Sequence, residues 1–249
     1  MSRYFRALPV SVVIGLTALA FVALPVSAAP IVANGSFENI GTQTSSFAIE
    51  EPPFLPDWSD DAAGYTGTAL FDCLVVPTAS NVCGSTGVQG DTNFWVSPGP
   101  SPNGGNFFAS DGDSRFNMPL TQTLTLPSPG TYTVSFYQAA AQLQPLTGAT
   151  TEQWQVCLGT ECQDSTLMSN ASHGDVPWMS QSLTFTAPST TEVLSFLAMG
   201  SIGLPPFVLL DGVSVDQGGT LPEPAAVTLV GIGLLAIPIA RRVLRHRRA

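Results

Sequence analysis

The sequence predicts an all-β protein, a two-sheet antiparallel sandwich, and three observations carry that prediction. Between residues 29 and 221 no stretch sustains a 3.6-residue apolar period. Short runs that alternate apolar with polar residues recur instead. Gly, Pro, Asn and Ser bound these runs, which is the chemistry of tight turns.

Taken in order, GTALFDCLV (67–75) and NFFAS (106–110) are short apolar runs suited to buried strands, separated by VSPGPSPNGG (96–105), which reads as a surface loop. LTQTLTL (120–126) alternates leucine with polar residues, so one of its faces is apolar. The turn PSPG leads into TYTVSFYQA (131–139), which alternates in the same way. EQWQVCL (152–158), QSLTFTA (181–187), EVLSFLAMG (192–200) and FVLLDGVSV (207–215) complete a set of eight expected strands. One sandwich of 193 residues buries enough surface to fold without relying on disulfides.

The two ends of the chain read differently. Arg3 and Arg6 precede an apolar stretch from Leu8 to Leu24, and Val26 and Ala28 stand at the small-residue positions of a cleavage site, so residues 1–28 are expected to be a secretory signal peptide. Residues 29–221 are the β-sandwich domain, and 222–249 a separate terminal segment. In that segment residues 225–240 carry no charge, and as a helix rising about 1.5 Å per residue they nearly match a hydrocarbon core of about 30 Å. Arg241, Arg242, Arg245, Arg247 and Arg248 follow as a stop-transfer cluster, which predicts a C-terminal transmembrane helix with the domain outside.

Charge is segregated accordingly. The chain has no lysine, and in the domain Arg115 stands alone against seventeen carboxylates, a formal charge of −16. Such a surface repels phosphate backbones and excludes nucleic acid as a partner, leaving neutral sugars and divalent cations. Cys73, Cys83, Cys157 and Cys162 are an even count in an exported chain, so two disulfides are expected. Of the three possible pairings we favour local closure, Cys73 with Cys83 and Cys157 with Cys162. Each pair is close in sequence and separated by turn-forming residues. A tetrahedral zinc site lacks the two-residue spacing and a nearby histidine.

The order Pro222-Glu223-Pro224, apolar helix, arginine cluster closely resembles the PEP-CTERM sorting signal of Gram-negative bacteria, over about the last 28 residues. The resemblance implies recognition by an exosortase, transient anchoring in the inner membrane through the helix, and delivery to the cell surface or beyond. The two prolines hold the segment before the helix extended, as a protease requires.

A second resemblance covers most of the domain. VANGSFE (32–38), LPDW (55–58), GNFFASDGDS (105–114), LTQTLTLPSPGTYTVSFYQAAAQ (120–142) and FVLLDGVSV (207–215) resemble galactose-binding-like jelly rolls, including carbohydrate-binding modules of families 4, 9 and 22. TEQWQV and LPPFVLLDGVSV are similar to phrases of exported PEP-CTERM proteins with this type of domain. The likeness implies a structural calcium where the first and last strands meet, and the matching positions here are Glu38 and Asp211. Calcium takes six to eight hard oxygens, which an acidic domain without lysine supplies. Asp111 and Asp113 in SDGDS are further expected ligands, although Asp-Gly-Asp also forms a plain tight turn.

Sugar binding on such a fold uses aromatic rings against the apolar face of a pyranose, with polar groups on the hydroxyls. Trp58, Trp95, Trp154 and Tyr137 are the expected ring residues, with core packing as the competing role for each. Trp178 lies in loop-like sequence. His173 is the single histidine of the domain, and no nucleophile elbow or metal-protease helix motif accompanies it. The expectation is therefore a non-enzymatic surface or extracellular-matrix protein that binds polysaccharide with structural calcium. A matrix protein without sugar binding, or a glycoside hydrolase or lyase, are the alternatives.

Overall fold

A computed structural model describes residues 29–42, 47–48, 55–59, 72–75, 94–114, 118–203 and 206–218. The signal peptide, the Pro222-Glu223-Pro224 motif, the helix at 225–240 and the arginine cluster lie outside the described residues. Among the described residues no helix is long and apolar enough to cross a membrane.

The described residues form two antiparallel sheets. The strands are β1 (Phe47–Ala48), β2 (Cys73–Val75), β3 (Phe107–Asp111), β4 (Leu120–Thr125), β5 (Gly130–Gln142) and β6 (Thr150–Leu158), followed by β7 (Glu161–Asp164), β8 (Met168–Asn170), β9 (Asp175–Ala187), β10 (Thr191–Gly200) and β11 (Pro206–Gln217). One sheet runs β1-β2-β3-β11-β5-β9, and the other β4-β10-β6-β7 with β8 also on β6. Seven of the eight expected strands appear at nearly their predicted places, and the described part of the first begins at Cys73. Strands β1, β7 and β8 were not foreseen.

Alternation puts one face of each strand into the core. Leu120, Leu124, Tyr132, Val134, Phe136, Trp154, Val156, Leu158, Phe185, Leu194 and Phe196 meet between the sheets. Fully burying a side chain of this size stabilises by about 1.5–3 kcal/mol relative to exposure. The outer face of the six-stranded sheet is also covered. Phe107, Ala109, Ala139, Ala141, Phe207 and Leu209 form a second apolar cluster there with Phe94 and Trp178.

Segment 94–106 is a loop, exposed along much of 96–105 as expected, and it lies over the outer face of the six-stranded sheet. Phe94 packs on Phe207 at 5.7 Å, Trp95 N–H bonds to the Gln142 carbonyl at 2.9 Å, and Trp178 Nε1–H donates to the Gly99 carbonyl at 3.0 Å. Cys157 and Cys162 are register partners on β6 and β7 and form a disulfide, with Cα atoms 4.0 Å apart. Cys73 is disulfide-bonded too, and Cys83 lies outside the described residues.

Candidate functional site

The site is built where the first described segment meets the last strand. Asn34 and Phe37 adopt positive φ in a turn closed by the Phe37 N–H to Asn34 carbonyl bond at 3.1 Å. That turn delivers Glu38 to segment 94–106, where its Oε1 accepts the Asn106 N–H at 2.8 Å. Gly105, at φ +69°, passes directly over this carboxylate: a Cβ there would sit 1.7 Å from Glu38 Oε1.

Asp211 approaches from the other side. A bulge in β11 between Asp211 and Ser214 breaks the ladder with β5, and Gly212 at φ +62° makes the bend. Asp211 is fully buried; its Oδ1 accepts the Gly212 N–H at 2.6 Å, whereas Oδ2 has no hydrogen-bond partner among the described residues. Burial pushes its carboxyl up to about 7. The Ser101 side chain and the Gly212 N–H oppose that rise, the charge of Glu38 adds to it, and the Asn103 side chain opposes it in turn. A like-charged neighbour and an orphaned buried oxygen both favour a cation at this place. Glu38 and Asp211, with Ser101 and Asn103 beside them, fit the oxygen set that calcium needs.

Asp111 and Asp113 are also buried. Asp111 Oδ1 accepts the Asp113 N–H at 2.8 Å and closes the turn after β3, and Asp113 Oδ2 accepts the Gly203 N–H at 2.7 Å and ties that turn to the loop before β11. The turn and ligand expectations for SDGDS thus meet a structure in which backbone N–H groups already use an oxygen of each residue. Among the described residues no three acidic, histidine or cysteine side chains form a metal-ligating group.

The four expected ring residues separate into two pairs. Trp58 and Trp154 are corrected to core residues. Trp58 is 4% exposed, packs on Phe37 at 5.6 Å and donates Nε1–H to the Asn34 carbonyl; Trp154 is fully buried, and its Nε1–H reaches the Leu209 carbonyl. Neither presents a ring face to solvent. Trp95 and Tyr137 are half-buried and stay available. Trp95 stacks on the exposed His173 with ring centroids 4.1 Å apart and anchors its Nε1–H on the Leu146 carbonyl at 2.7 Å. Tyr137 pairs with Asp211 across β5 and β11 and sits beside Gly212 and Asn103.

Trp178 joins this set although sequence placed it in a loop. It lies on β9, half-buried, edge-on to Phe107 at 5.3 Å. Segment 94–106 thus touches or carries Trp95, Trp178 and Tyr137, and beside them lie the Glu38 and Asp211 carboxylates. The signal that could have found Trp178 was the alternation in DVPWMSQSLTFTA, masked by the proline at position 177.

No protein-family model and no curated protein matches the sequence. Among solved structures, TmCBM61 in complex with beta-1,4-galactotriose is 14% identical, with 76% of this chain and 99% of that chain covered and a TM-score of 0.40. A family 16 carbohydrate-binding module is 14% identical over 75% of this chain and 99% of its own, with a TM-score of 0.36. An arabinose-bound GH51 α-L-arabinofuranosidase is 14% identical over 75% of this chain and 26% of its own, with a TM-score of 0.37. Likenesses of this size carry no functional weight.

Proposed function

We propose that this chain is an exported, non-catalytic protein of the cell surface or extracellular matrix that binds polysaccharide, with calcium held by Glu38 and Asp211 as a structural ion. The observation that carries the reading is the grouping of half-buried Trp95, Trp178 and Tyr137 around segment 94–106. The two tryptophan rings, held by their own N–H bonds, keep a fixed face and lose little entropy when a sugar stacks on them. Polar groups at the rim, among them Asn103 and His173, supply the hydrogen bonds that a pyranose edge needs.

Calcium at Glu38 and Asp211 would neutralise two carboxylates and tie the first turn to the last strand beneath the ring group. For the terminal segment, the Pro222-Glu223-Pro224 motif with Arg241 and Arg242 supports processing by an exosortase after export across the inner membrane.

A glycan array and a pull-down on the cell's own exopolysaccharide, both in calcium, test the reading. Binding that weakens at least tenfold in Trp95→Ala, with no release of reducing sugar, is the expected outcome. Binding unchanged in Trp95→Ala and Trp178→Ala would remove the ring group from the account, and release of reducing sugar would make the protein a glycoside hydrolase or lyase.

A further inference from the structure

A second buried carboxylate lies in the core, away from the ring group. Glu152 sits on the inner face of β6 and is fully buried, and neither of its oxygens has a hydrogen-bond partner among the described residues. Thr150 precedes it on the same face and is the register partner of the inward-facing Asn170 on β8. Thr150 Oγ1 and Asn170 Oδ1 are orphaned as well, the Asn170 amide nitrogen being committed to the Gly174 carbonyl at 3.2 Å.

The facing sheet adds a further oxygen. Phe108 of β3 stacks on Trp154 at 6.0 Å, and a Cβ on Gly112 would lie 3.0 Å from the nitrogen of Gly200, which is the register partner of Glu152. These two contacts bracket Ser110, which shares the inner face with Phe108 and is buried, with no hydrogen-bond partner for its Oγ among the described residues. No arginine, lysine or histidine occurs on β3, β5, β6, β8, β9, β10 or β11.

An unpaired buried oxygen is costly, and an ionised carboxylate more so. Burial pushes the Glu152 carboxyl up to about 7, with the Thr150 and Asn170 side chains offsetting part of the rise. A proton on Glu152, together with the Thr150 and Ser110 hydroxyls, would supply three donors for these five oxygens and leave the remaining lone pairs unmet. A hard cation takes six to eight oxygen ligands and satisfies them together, and a set of carboxylate, hydroxyl and amide oxygens selects such an ion over soft metals. We propose that Glu152, Thr150, Asn170 and Ser110 form a second cation site between the sheets, for an ion of the calcium class. The site is separate from Glu38 and Asp211 and independent of sugar binding.

Calcium stoichiometry on the purified full-length chain, by equilibrium dialysis at neutral pH with elemental analysis, is the test. Two ions per chain are expected, falling to one in Glu152→Gln and to one in Asp211→Asn. A single ion removed only by Asp211→Asn, or no ion at all, overturns the proposal. A single ion removed only by Glu152→Gln upholds it and refutes calcium at Glu38 and Asp211. Should Glu152→Gln fail to fold, terbium replaces calcium in the Asp211→Asn protein, because Trp154 stands two residues from Glu152 on the same face and would sensitise the ion's emission. Emission that excess calcium competes away is expected, and its absence overturns the proposal.

Discussion

Val213 donates its N–H to the carbonyl of Gly35 at 2.8 Å, and a Cβ on Gly35 would lie 2.0 Å from the Val213 oxygen. The opening NGSFE and the closing LDGVSV, which lie near opposite ends of the domain, therefore meet backbone to backbone. Only a glycine permits that approach. Gly35→Ala is expected to destabilise by more than about 2 kcal/mol, read as a lower midpoint in chemical unfolding. An unchanged midpoint would mean that the turn does not dock on the β11 bulge.

Gly105 does for a side chain what Gly35 does for the backbone. Gly105→Ala would drive a methyl group into Glu38, so the variant should lose calcium-dependent stabilisation. Gly99→Ala is the control: its φ is similar, at +80°, but nothing lies within 4 Å of the added atom. It should show the conformational cost of about 1–2 kcal/mol alone, with the calcium response intact.

Gln122 fastens the N-terminal segment to β4. Its Oε1 accepts the Ala33 N–H at 2.9 Å, and its Nε2–H groups reach the carbonyls of Ala33 and Asp57, both at 2.9 Å. Gln122→Ala removes three bonds at a nearly buried position and should cost about 2–3 kcal/mol in thermal or denaturant unfolding. A cost below about 0.5 kcal/mol would show that water replaces the amide.

Much of this fold is legible in sequence because one face of each long strand is apolar. LTQTLTL, TYTVSFYQA and EVLSFLAMG announce both their strand character and their inward side. Strands β7 and β8 are not legible, because ECQD and MSN are short and owe their conformation to pairing with β6. The rings show the same divide, and neighbours mislead: Trp154, between Gln153 and Gln155, fills the core, whereas Trp95, between Phe94 and Val96, is half-buried near the surface. Glu152 was hidden by its charge: two residues from Trp154 it shares the inner face of β6, but a carboxylate reads as an outward residue.

That inward carboxylate predicts a pH dependence in chelator. Its folded pKa, about 7, lies above the ordinary 4.5, so the folded state holds the proton more tightly than the unfolded chain does. The contribution of this group to stability is full below about pH 4.5 and is lost as pH rises through 7, by up to about 3 kcal/mol. Asp211, raised from 3.8 to about 7, acts in the same direction. Unfolding between pH 5 and pH 8 in chelator should therefore show falling stability in the wild type, with a shallower fall in Glu152→Gln. An equal fall in both would mean that Glu152 stays solvated.

The central claim is tested most directly by thermal melts of the wild type and Trp95→Ala in calcium, with and without the cell's own exopolysaccharide. A ligand that binds the native state stabilises it by about 2.7 kcal/mol at a hundred times its Kd, so binding raises the midpoint. The account predicts a polysaccharide-dependent rise in the wild type that Trp95→Ala abolishes. No rise in the wild type, or the same rise in both proteins, would contradict it.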